Sequence, residues 1–182
     1  MRACLAALMR VLCVAGPGLL VLTAGAMAQD KTAGASPTDM SDRINGQPLP
    51  MKPSKSVSEV GVLSADLKDA KGTPTGMRLF SYRTVRASET RSPIHAHPYG
   101  GQTCILSGEM TLYLEGAPAP QRAGPGTCYW MPPGARMSGA NTGTAEAVMI
   151  DTFMAPSEKE IWVVMEAGME DGQDQFSGAH KH

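Results

Sequence analysis

Between residues 57 and 168 the chain alternates short runs of β-forming residues with glycine and proline turns, and that punctuation excludes most folds. The runs are Val57–Leu63, Met77–Arg86, Gln102–Leu106, Met110–Leu114, Thr127–Met131, Glu146–Phe153 and Glu160–Val164. No core stretch of ten or more residues keeps its apolar side chains at helical spacing, so a helical bundle is ruled out. Twenty glycines and fourteen prolines in 182 residues agree with frequent turns. Short strands at close spacing predict an all-β sandwich or barrel. Ser107-Gly108 reads as a tight hairpin between two strands. Asn141-Thr142-Gly143 reads as a second turn, because Asn and Gly tolerate positive φ.

Four segments follow from the distribution of residue types. Arg2 and Arg10 flank an apolar stretch, Val11 to Ala26 carries no acid, and Ala26-Met27-Ala28 supplies small residues before the polar Gln29 and Asp30. That is the layout of a secretory signal peptide over residues 1–28, cut near Ala28. A retained anchor is the alternative, but the stretch is short for a bilayer and broken by Gly16-Pro17-Gly18. Leu12 stands where a lipoprotein would place a small residue before Cys13. The expectation is an exported protein, periplasmic or secreted, with no membrane span after cleavage. Residues 29–56 hold four prolines and no aromatic, and read as a flexible or surface-wrapping arm. All nine aromatics lie between Phe80 and Phe176, which sets the folded domain at 57–168 and a loose tail at 169–182.

Cleavage removes two arginines and no acid, taking the formal charge from −1 to −3, and no basic run remains for nucleic acid. Cys4 and Cys13 leave with the leader. Cys104 and Cys128 remain, either bridged in an oxidising compartment or buried as two small apolar thiols. No Gly-rich phosphate loop precedes a helix, no G-x-S-x-G elbow is present, and neither cysteine has a neighbouring histidine to activate it. Glu109, Glu115 and Asp151 read as single acids solvated near strand ends.

His95-Ala96-His97-Pro98, Gly108, and then Gly126, Pro132, Gly134 and Asn141 at fixed spacing resemble the two motifs of the cupin superfamily over roughly residues 77–153. The resemblance implies a small double-stranded β-helix, or jelly-roll barrel, with its site inside one mouth. It also implies a homodimer, paired by strand exchange or sheet packing. A metal-binding member of the family supplies three histidines and one glutamate. His95 and His97 match the first two, and residues two apart on a strand share a face. The glutamate position falls on Gly101, with Gln102 one residue late and able to turn inward only if Gly100-Gly101 bulges. The last histidine position is Met137, and Glu89 replaces the first motif's opening glycine.

The metal candidates are therefore His95, His97 and Gln102, and the ion would be divalent or copper, since a thioether at Met137 suits Cu(I). Two bland readings stand beside this one. The histidines could serve only as hydrogen-bonding pocket groups, and Met137 could be an apolar wall. Tyr99, Tyr129 and Trp130, with Met137, are the candidate ligand-binding walls. Cys128 and Trp130 share one strand face and Tyr129 and Met131 the other, without a signal for which points inward. His180 and His182 in the tail read as solvated. The resulting expectation is a protein binding a small molecule or metal ion in the barrel mouth. The alternatives are a metal-dependent oxygenase, isomerase or lyase using His95 and His97, and a copper-handling protein using His95, His97 and Met137.

Overall fold

The computed structural model describes residues 42–169; the leader, residues 29–41 of the arm and the tail from Glu170, with Phe176, His180 and His182, lie outside them. Among the described residues every regular element is a strand, and no helix is long and apolar enough to cross a membrane. In chain order these are β1 (Arg43–Ile44), β2 (Gln47–Pro48), β3 (Lys52–Pro53), β4 (Ser58–Lys68), β5 (Pro74–Arg86), β6 (Thr90–Arg91) and β7 (His95–Ala96). There follow β8 (Gly101–Ser107), β9 (Met110–Leu114), β10 (Gln121–Ala123), β11 (Cys128–Met131), β12 (Met137–Asn141), β13 (Ala147–Pro156) and β14 (Val163–Val164). The fold is an all-β barrel built from two sheets.

One sheet runs β11-β8-β13-β5-β4, antiparallel throughout. The other runs β10-β9-β12-β6-β3, with β7 paired to both β12 and β14. Phe80, Ile105, Leu112, Met149 and Phe153 fill the space between them. Period-two alternation decides what enters it: along β13, Ala147, Met149, Asp151, Phe153 and Ala155 are buried, and the residues between them are not.

Three local readings of the sequence change. Ser107-Gly108 is not a hairpin: β8 and β9 belong to different sheets, and the chain crosses between them here. Gly108 sits at φ 77° against β13, where a Cβ would lie 2.7 Å from Ala147 Cα, so the site accepts no side chain. The turn after β12 is formed, yet neither Asn141 nor Gly143 takes a positive φ. Instead the buried Asn141 side chain accepts from Gly143 N and donates to the Arg86 and Ala145 carbonyls. β12 itself, MSGAN, lacks β-branched and aromatic residues and gives no strand signal, but all five residues are buried between β9 and β6.

Of the stretch read as an arm, residues 42–56 are held by polar contacts. Asn45-Gly46, both at positive φ, turn β1 into β2. β3 pairs in parallel with β6, and Arg86 donates to the Ser54 carbonyl and Ser56 Oγ. Cys104 and Cys128 stand opposite each other on β8 and β11 and are bridged. The two-buried-thiols alternative falls, because these positions face outward and Cys128 is exposed.

Candidate functional site

β7 is short because Pro93 and Pro98 bracket it, and its place beside β12 and β14 buries both histidines at its end. His95 and His97 are 4% and 1% exposed, with ring centroids 4.9 Å apart. His95 Nδ1 lies 2.8 Å from the Pro93 carbonyl and His97 Nδ1 2.6 Å from the Ile161 carbonyl. A carbonyl can only accept, so both Nδ1 atoms carry the proton and each Nε2 keeps its lone pair. Among the described residues neither Nε2 is hydrogen-bonded. Burial holds the His95 imidazole well below its ordinary range, with His97 beside it adding to the effect. Burial brings His97 down to about 4. Both rings are neutral at pH 7, with their available nitrogens fixed in direction.

The rings are held by residues the sequence did not flag. Trp162 stacks on His95 at 3.7 Å, and Phe153 lies 4.6 Å from His97. The segment carrying Ile161 and Trp162 is fastened by Glu166, which accepts from Arg91 Nη1 and Nη2 at 2.7 Å each and from Ile94 N at 2.8 Å. Burial alone would raise the Glu166 carboxyl; Arg91 and the Ile94 amide outweigh it and hold it low.

The histidines open on an interior cavity of about 40 Å³, lined also by Thr84, Arg86, Thr103, Tyr129, Asp151 and Trp162 and by Met110, Met131, Met137 and Met149. That space holds a few water-sized groups, far less than the several hundred Å³ of a typical organic-ligand pocket. Asp151 is 6% exposed, not solvated as its place near a strand end suggested. Thr84 and Thr103 hydroxyls donate to its two oxygens at 2.6 Å each, while burial pushes its pKa up against them. Burial likewise raises the Tyr129 phenol and lowers the Arg86 guanidinium.

The sequence-derived candidates divide. Tyr129 and Met137 line the cavity with the histidines, and Met137 lies directly opposite His95 in the sheet. Trp130 does not: it is 57% exposed on the outer face, because Tyr129 and Met131 are the inward members of β11. Tyr99 is 39% exposed in the turn after β7 and forms no part of the cavity wall. Gln102 is corrected as a metal candidate. No bulge forms at Gly100-Gly101; Gly101 pairs with Met131 and Gln102 with Trp130 in regular register, so the amide faces outward and donates to Cys104 Sγ. The inward position is Gly101, where a Cβ would meet the Phe153 ring at 2.5 Å. The glutamate that the family resemblance implies is thus replaced by a phenylalanine ring. Among the described residues no three His, Cys, Asp or Glu converge on one ion, so a complete shell for a divalent metal does not fit here.

Residues 82–153 match the family described as Cupin domain. The chain carries a cupin domain. Among solved structures this cupin is similar to a DMSP lyase from Ruegeria pomeroyi, at 25% identity over 56% of this chain and 50% of that one, with a TM-score of 0.43. It is also similar to an uncharacterised double-stranded β-helix protein from Klebsiella pneumoniae, at 18% identity, 64% and 90% coverage and a TM-score of 0.46. A cupin domain from Bordetella pertussis follows, at 13% identity, 58% and 98% coverage and a TM-score of 0.44. The cupin spans half the length of the lyase. A comparison with curated proteins finds no match.

Proposed function

We propose that this cupin binds one small species inside its barrel, a metal ion held on Nε2 of His95 and Nε2 of His97, and acts as a binding protein. The observation that supports this is the pair of neutral imidazoles, each with Nδ1 anchored on a carbonyl and Nε2 without a protein partner among the described residues. A cavity of about 40 Å³ suits an ion with its water better than an organic ligand. The leader-like amino terminus supports export, and the family resemblance supports a homodimer, which sedimentation equilibrium tests.

Metal content per chain is the deciding measurement. The full chain, expressed from Met1 and purified without a tag, is compared with the His95→Ala/His97→Ala variant by inductively coupled plasma mass spectrometry. Near-stoichiometric metal in the wild type alone supports the proposal. Equal metal in both, or none after reloading, sinks it.

A second reading, a metal-dependent enzyme of oxygenase, isomerase or lyase type, is favoured by Asp151, a buried acid with a raised pKa beside the histidines. It needs open coordination positions. Azide added to the cobalt-loaded chain reads them, and an unchanged visible spectrum argues against this reading.

A further inference from the structure

A second cavity, of about 220 Å³ against about 40 Å³ beside the histidines, lies between the β1–β2 hairpin and the segment after β9. The two back onto one strand: Leu112 of β9 lines the inner cavity and Tyr113, the next residue, lines the outer one. We propose that the outer cavity binds one compact, uncharged ring compound that carries a hydroxyl or carbonyl group. This site shares no residue with the metal-binding reading above and stands apart from it. Size supports a ring. An apolar cavity of about 150 Å³ accepts benzene, so one of about 220 Å³ has room for a six-membered ring with a substituent. The walls are also fixed in advance. Asn45, at the hairpin tip, donates from Nδ2 to the Leu114 and Ala117 carbonyls and accepts from Gly116 N at 2.7 Å. Its own N–H donates to Glu115 Oε1, so four bonds hold hairpin and facing segment at a set spacing.

The lining decides the chemistry. Ile44, which is buried, and Leu114 are apolar, and Pro48, Pro118 and Pro120 stand beside them. Among the described residues no Lys, Arg, His, Asp or Glu lines the space, so a charged ligand would lose hydration without gaining a partner. Two polar side chains do line it, the Tyr113 hydroxyl and the Gln47 amide. Neither has a hydrogen-bond partner among the described residues. Burial raises the Tyr113 phenol pKa, so the hydroxyl stays protonated and can donate to an oxygen of the ligand. An extended peptide fits this lining less well. It binds through main-chain hydrogen bonds, and the three prolines have no N–H to offer it.

The test titrates the full chain, labelled with nitrogen-15, with 4-methylphenol, with benzoate as a charged ring of similar size, and with the capped peptide Ala-Pro-Ala-Pro. Wild type is expected to bind 4-methylphenol with a dissociation constant of about 1 mM or tighter, and benzoate at least about tenfold more weakly. The amide resonances of Asn45, Gln47, Tyr113 and Ala119 are expected to shift, and that of His97 to stay. Tyr113→Phe removes only the hydroxyl and is expected to weaken 4-methylphenol by about three- to tenfold at an unchanged thermal midpoint. Ala119→Phe fills the space and is expected to abolish binding. No shift at these amides in wild type, or equal binding in wild type and both variants, overturns the inference. Benzoate bound as tightly as 4-methylphenol overturns the uncharged class, and tighter binding of the peptide makes the cavity a peptide groove. Metal content plays no part in any of these outcomes, so the metal-binding reading stands or falls separately.

Discussion

The two faces of the β11-β8-β13-β5-β4 sheet both mix polar with apolar side chains, against the usual separation. Toward the barrel interior it presents Thr84, Arg86, Thr103 and Asp151, all buried. Toward the outside it presents Val60, Leu63, Leu106, Trp130 and Met154, each about half exposed, and the Cys104–Cys128 bridge. The inner polar groups are tolerable because they satisfy one another: both threonines donate to Asp151, and Arg86 reaches Ser54 and Ser56. The comparison teaches that interior here means facing the cavity, while apolar character marks the outside as readily as the core. Stability on the inner side rests on networks in which each member needs its partner. On the outer side it rests on a covalent link and on side chains that touch little.

The largest effect is expected from a second buried polar link, on the other sheet, where Arg91 of β6 fastens the chain's last described segment through Glu166. Glu166→Ala leaves Arg91 charged, buried and without its carboxylate, and is expected to cost about 3–5 kcal/mol in urea unfolding. The same change should release Trp162 from His95, read as a shift in tryptophan emission. On the outer face, Cys104→Ala/Cys128→Ala opens a loop spanning a sequence separation of 24 and is expected to cost about 3.5 kcal/mol, with the metal content unchanged.

Acid sharpens the contrast further. In the metal-free protein His97 binds its proton only near pH 4, whereas the unfolded chain binds one near pH 6.5. The unfolded state therefore carries more protons between these values, and stability present above pH 6.5 drains away as pH falls toward 4. The loss is about 3 kcal/mol for this one group, measurable as the denaturation midpoint against pH. His97→Phe should flatten that dependence. The smallest effect is expected from Trp130→Ser, within about 0.5 kcal/mol and without change in metal content, because an outer-face side chain this exposed makes few contacts. A drop of several kcal/mol there would erase the distinction between the faces.

The same mixing of polarity explains what was legible. β9 lies where the alternating pattern puts it, and β5, β8, β11 and β13 are found with their ends moved by a few residues. His95, His97, Tyr129 and Met137 come together because motif spacing carries that information. Alternation, however, separates two faces without saying which is inner. The hydrophobic-in expectation then makes Trp130 a pocket wall and Asp151 a surface acid, and both assignments are inverted. The signal for Asp151 was present, since it shares parity with Ala147, Met149 and Phe153. Trp162 and Glu166 carried no local signal: their roles depend on contacts with β6 and β7 across some 70 residues of chain. Gln102 failed for a purely steric reason, the Phe153 ring beneath Gly101.

The Arg91–Glu166 pair also has a consequence in time. Synthesis delivers His95 and His97 dozens of residues before the Ile161 carbonyl that orients one and the Trp162 ring that covers the other. Neither partner is in place until Glu166 has been made and has closed on Arg91. A nascent chain ending short of that carboxylate holds two histidines free to rotate, with no preferred direction for a ligand. The site is thus assembled last, and a truncated chain gains no competent pocket until its last described segment arrives.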